Sequence, residues 1–129
     1  MVVEQKVQEV LVGAAGVTAL VPAARIKMPG DWQMLPRPYV VHFPVSSEGT
    51  HTHNEGLVDL RDWPTYQVSC FGGSYSEAKA VAVAVREALG DYKGSDGTVM
   101  FWRSERFVGY ESDVKVHHIA VELEIWEAL

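Results

Sequence analysis

Residues 71–79, FGGSYSEAK, follow the alternating run YQVSC and place two glycines and a serine between an extended segment and an apolar helical pattern. Such parts could hold an anion, because glycines let backbone N–H groups approach a phosphate at a helix N-terminus. A nucleotide-binding loop needs a lysine and a hydroxyl directly after its glycines, or a third spaced glycine. Here the first lysine is Lys79, a full turn into the helix. Ser74 and Glu77 instead have the spacing of a capping box, in which each side chain takes up a free backbone N–H of the first turn. The expectation is a structural corner, sharpened by Gly72 and Gly73.

The histidines are the next group with coordinating chemistry. His51 and His53 in THTH share a face if the chain is extended, and a metal there needs a further ligand from Glu55 or Asp59. Polar loops collect the same residues for solubility, so no metal or other cofactor is expected. His117 and His118 are adjacent and point to opposite faces of a strand, which makes a shared metal harder still. Cys70 is the single cysteine of the chain, which excludes an internal disulfide. Its mid-strand position reads as a small buried hydrophobe. There is no G-x-S-x-G elbow and no carboxylate pair at a spacing that compels an acid and a base, so no enzymatic activity is expected. Four tryptophans are many for 129 residues. Trp32 and Trp63 stand in loops beside charge or proline, where they either contact another protein or cap the core under a long loop.

The elements that carry these residues follow from periodicity. Residues 3–20 place Val3, Val7, Val10, Leu11, Ala14 and Val17 on one helical face, with Gly13 and Gly16 weakening the second half and Pro22 marking the end. A proline-rich crossing with a short extended piece around residues 25–28 leads to a strand at 39–45, where Tyr39, Val41, Phe43 and Val45 oppose Val40, His42 and Pro44. Residues 46–62 are polar and glycine-broken, longer than a connection in a compact domain, and read as a projecting loop. A strand at 65–71, a helix at 75–89 capped by Gly90, a strand at 98–107, a turn at 108–113 and a strand at 114–126 complete the chain. In the last strand Val114 and Val116 have one parity and Ile119, Val121, Leu123 and Ile125 the other, which predicts a β-bulge at His117–His118. This order predicts one α+β domain over residues 1–129: a mostly antiparallel sheet of about four or five strands with two helices packed on it.

Composition narrows the function. The chain is 47% hydrophobic and 22% charged, ordinary for a globular protein. Its net charge of −6, without a lysine or arginine cluster, disfavours direct nucleic-acid binding. No apolar run reaches the roughly 20 residues of a membrane span, and Glu4 stands where a signal peptide carries basic residues. A protein made in the cytoplasm and left untargeted is expected.

Three blocks carry a family resemblance: LPRPYVVHF at 35–43, YQVSCFGGSYSEAKAVAVAVREAL at 66–89 and HIAVELEIWE at 118–127. In order and spacing they resemble the tail completion, or tail terminator, proteins of long-tailed bacteriophages and prophages. That pattern has an N-terminal helix, a proline before an apolar strand, a strand ending in an aromatic and a short corner, a helix with E-A and then R-x-A-L, and a closing strand with a late aromatic. The double glycine makes a looser corner than the family pattern, and residues 46–62 are polar and His-rich. The resemblance implies a virion protein, made in the host cytoplasm, that forms a ring of six copies. The ring would cap the tail tube, end its polymerisation and present the surface for head-tail joining. Its partners would be its own copies, the major tail tube protein and the head-tail connector proteins, with DNA passing through unbound. A head-tail connector or adaptor of the same particle is the alternative, and a small metal-binding module a third reading. The loop at 46–62, with His51, His53, Glu55 and Asp59, is the candidate contact surface, Trp63 is a further interface candidate, and the segment GDWQMLP with Trp32 is a second candidate surface.

Overall fold

The computed structural model describes residues 3–29, 36–46, 65–95, 97–112 and 115–126. The amphipathic N-terminal pattern forms α1 (Val3–Gly13), followed by the short α2 (Ala15–Thr18). One helix over 3–20 was the expectation. It divides at Ala14, whose φ of −89° and ψ of 112° are extended, between the two glycines that lower helical propensity. Helical backbone therefore stops at Thr18, well before Pro22. A single 3-10 turn (Ala23–Arg25) leads into β1 (Ile26–Lys27).

The described fold is completed by β2 (Tyr39–Ser46), β3 (Thr65–Gly72), α3 (Tyr75–Leu89), and the hairpin of β4 (Val99–Glu111) and β5 (Val116–Trp126). The sheet order is β1-β2-β3-β5-β4. β1 pairs parallel with β2, and all other pairs are antiparallel. This is the α+β architecture expected from the sequence, a five-stranded, mostly antiparallel sheet with two main helices on one face. The expected projecting loop at 46–62 lies outside the described residues beyond the strand end at Ser46.

The core forms where helix stripes meet alternate strand residues. Val7, Leu11, Val81, Val85 and Leu89 pack on Val40, Tyr66, Val68, Cys70, Ile119, Val121, Leu123 and Ile125, all at most 1% exposed. Burying each large aliphatic side chain there contributes roughly 1.5–3 kcal/mol. A second, smaller cluster lies on the opposite face: Tyr39, Val41, Phe71 and Val116, with Phe43 packed against them.

This second cluster explains the parity change in β5 and corrects the expected bulge at His117–His118. β5 pairs with β3 without interruption through Phe71↔His118 and Gly72↔His117. Val116 and Ile119 differ in parity because both faces of the sheet are buried at this end. The register shifts lie in β4, between Trp102 and Ser104 and between Phe107 and Gly109. The extra residues are Arg103 and Val108, and Gly109 at the second shift has φ +149°. The expected turn at 108–113 is also corrected: β4 continues to Glu111, and the turn that follows holds Ser112 and Lys115, the latter with φ +56°. Cross-strand pairs Tyr110↔His117 and Glu111↔Val116 extend the strand to that point. Trp126 follows the outward parity of β5 and is 38% exposed.

Candidate functional site

The corner between β3 and α3 is built by short-range bonds. Ser74 Oγ accepts from the Glu77 N–H at 3.1 Å, and Glu77 Oε1 accepts from the Gly73 N–H at 2.7 Å. A Cβ on Gly72 would lie 2.6 Å from the Ala78 backbone nitrogen, so strand and helix approach too closely for any side chain there. A carboxylate of the chain itself thus occupies the helix N-terminus, where an incoming anion would meet like charge.

Cys70 is fully buried and its Sγ lies 3.9 Å from the Val68 carbonyl. Burial, with a smaller contribution from Glu105, pushes the thiol far up, so it has no thiolate with which to act as a nucleophile.

His42, on the face of β2 opposite Tyr39 and Val41, has no exposed surface. Its Nδ1 is 2.7 Å from the Tyr66 hydroxyl and its Nε2 2.6 Å from Gln8 Oε1. Gln8 Nε2 in turn donates to the Ile26 carbonyl at 2.8 Å. Burial lowers the His42 pKa from 6.5 to about 4, so the ring is neutral. This chain ties α1, β1, β2 and β3 together, with His42 and Tyr66 fully buried in it.

His117 and His118 occupy opposite faces. His118 stacks on Phe71 at 4.4 Å, and Phe71 stacks on Tyr39 at 4.6 Å, which makes an aromatic row across β2, β3 and β5. Burial first, and then Arg106, lowers the His118 pKa to about 4, while Glu111 sits 3.8 Å from Nδ1. His117 lies 4.8 Å from the Tyr110 ring and 6.3 Å from Phe107. Among the described residues no three His, Cys, Asp or Glu side chains are grouped to hold a metal, and no helix is long and apolar enough to cross a membrane. The contact candidates His51, His53, Glu55, Asp59, Trp63 and Trp32 all lie outside the described residues.

The structure adds a surface not singled out from sequence. β4 is an edge strand. The beginning of its outer edge is covered, because Met100 N–H donates to Tyr92 O at 3.0 Å and Trp102 N–H to Gly90 O at 3.1 Å. Trp102 also lies under the Arg86 guanidinium, 4.1 Å from its ring centroid. Farther along, Phe107 is 49%, Val108 44% and Tyr110 51% exposed. Tyr75, 48% exposed, meets Phe107 edge-on at 5.4 Å. The available signal was the aromatic content of residues 101–110 on both parities, FWRSERFVGY, in a strand that also carries charge on both faces.

These features describe a scaffold with exposed apolar surface. The model of the family described as Tail completion protein gp17 matches residues 5–128. A solved chain from the virion of a native gene transfer agent particle has a similar fold, with a TM-score of 0.66 and 18% identity. The similarity covers 95% of this chain and 92% of that one. No curated protein sequence matches significantly. With its sequence matched almost from end to end, the chain belongs to the tail completion protein gp17 family, as a structural tail component of a phage-type virion.

Proposed function

We propose that this chain assembles as a ring of six copies that caps the tail tube, ends its polymerisation and provides the surface to which the head is joined. The observation that supports this most directly is the exposed outer end of β4, with Phe107, Val108 and Tyr110 each more than two-fifths exposed. Isolated globular proteins seldom leave adjoining aromatics on an exposed edge strand, because such an edge recruits other chains, and among the described residues no strand pairs with the outer side of β4. A closed ring uses one heterologous contact repeated, so each subunit needs two different surfaces and no deep pocket. The net charge of −6 suits a ring through which DNA passes without being held.

Residues 46–62, with His51, His53, Glu55 and Asp59, are proposed as a second contact surface toward a neighbour or the tail tube, with Trp63 next in sequence and Trp32 as a separate candidate. Light-scattering mass, measured alone and with purified tail-tube protein, tests the reading. A mass of six subunits, or protein held at one end of tubes of fixed length, is expected. Indifference to tubes combined with binding to portal-side proteins would transfer the role to a connector. Shortening 46–62 is expected to leave a folded protein that no longer assembles, and unchanged assembly would remove the loop from the interface.

A further inference from the structure

A single cross-strand row runs through the whole sheet: Ile26↔Val40, Val40↔Cys70, Cys70↔Ile119 and Ile119↔Phe107. With strands about 4.8 Å apart, its ends are separated by roughly 19 Å. At the Phe107 end stands the exposed aromatic ridge of Tyr75, Phe107 and Tyr110, joined through the His117 ring. None of the three ridge side chains carries a formal charge at neutral pH.

The chain leading into Ile26 is of a different kind. From Val10 to Ala24 the sequence is VLVGAAGVTALVPAA, without a charged residue in a chain that is 22% charged. Val12 is 37% and Leu20 41% exposed. Gly13, Gly16 and Ala19 between them are exposed as well, and nothing lies within 4 Å of a Cβ built on either glycine. This surface is apolar, low in relief and open, whereas the ridge projects large rings.

We propose that the Tyr75–Phe107–Tyr110 ridge of one subunit packs onto the Val12–Leu20 surface of a second copy of this chain. The inference rests on the ring reading and identifies its repeating contact. Two facts select a second copy as the occupant. The ridge stands at the β4 edge of the sheet, whereas the Val12–Leu20 surface lies on the helical segment that leads into β1 at the other edge, so one subunit carries two different surfaces, as a heterologous ring requires. Copies that each carry −6 repel, so they meet most favourably through uncharged side chains, and Tyr75, Phe107 and Tyr110 on one surface and residues 10–24 on the other are all uncharged. Large rings set against small residues also give the close-packed aromatic contact that dominates interface energy.

The test uses the full chain, in which the native Cys70 is buried. Ala19→Cys and Tyr110→Cys variants are mixed and oxidised, with and without tail tubes. Disulfide-linked pairs are expected in the mixture and in neither variant alone, and the double variant should form a ladder of covalent oligomers. Phe107→Asp, at a half-exposed position, should keep the wild-type melting temperature and assemble at least about tenfold more weakly. Rings or capped tubes without the Ala19–Tyr110 link would overturn this contact and leave the ring reading standing. A wild-type chain that stays monomeric with and without tubes would overturn both. Linkage of Ala19→Cys with itself would replace the heterologous contact by a two-fold one.

Discussion

The Tyr66 hydroxyl donates across 2.7 Å to Nδ1 of His42, and the direction of that bond is imposed from the far end of a chain of groups. The Ile26 carbonyl only accepts, so Gln8 turns its NH2 toward it and its oxygen toward His42. His42 must then carry its proton on Nε2, which leaves Nδ1 as the acceptor for Tyr66. Burial, reinforced by the negative charge of Glu4, pushes the Tyr66 phenol up and keeps that donor protonated. Every polar side-chain atom facing another in this network is satisfied in one arrangement, and a charged His42 has no place in it.

Acid should therefore destabilise the fold before its carboxylates protonate. The folded-state pKa of His42 is lowered from 6.5 to about 4, so between these values the unfolded chain binds the proton that the native state refuses. Stability is full above pH 6.5 and falls as pH drops toward 4, with His42 accounting for on the order of 3 kcal/mol. His118, lowered to about 4 as well, adds a loss of the same sign. Urea midpoints measured across this range should fall steadily, and His42→Gln should flatten the slope while lowering stability at pH 7.

Removing one partner of the network exposes the cost of the rest. Tyr66→Phe leaves His42 Nδ1 buried without a donor and should cost about 1–3 kcal/mol at neutral pH. Chemical denaturation reads the loss, and an unchanged midpoint would mean that the hydroxyl is not bonded.

Two glycines separate steric need from conformational entropy. Gly72→Ala drives a Cβ to 2.6 Å from the Ala78 backbone nitrogen and should destabilise by about 1–3 kcal/mol. Gly13→Ala meets nothing within 4 Å and should stabilise the monomer by about 0.4–1 kcal/mol. Thermal melts of the two variants should move in opposite directions.

Ser74→Ala removes the acceptor of the Glu77 N–H and should lower stability by about 1 kcal/mol. Glu77→Ala, which frees the Gly73 N–H, should act in the same direction. Helix content by circular dichroism at the midpoint temperature is the check.

Breaking the aromatic row tests the second cluster. Phe71 stacks on both Tyr39 and His118 and is 8% exposed, so Phe71→Ala should cost about 3–5 kcal/mol. The same change should raise the His118 pKa toward its ordinary value by admitting water, which a histidine proton titration by NMR would follow.

Much of this fold could be read along the chain, because local physics decides it. The i, i+4 and i+7 spacing of α1 and α3, the alternation of Tyr66, Val68 and Cys70, and the S-x-x-E step at Ser74 each depend on residues a few positions apart. The family resemblance depends on the same local blocks in order. Three matters could not be read that way, and each depends on partners distant in sequence. The phase change in β5 looked like a bulge because alternation records burial without saying which face is buried. Only the meeting of Tyr39, Val41, Phe71 and Val116 shows that the second face is buried too. His42 looked like any strand residue because Gln8 and Tyr66 lie 34 and 24 positions away. Which strand forms the edge is likewise a property of the whole sheet order. That order places Phe107 at one end of a row and Ile26 at the other, a separation that neither segment reveals locally.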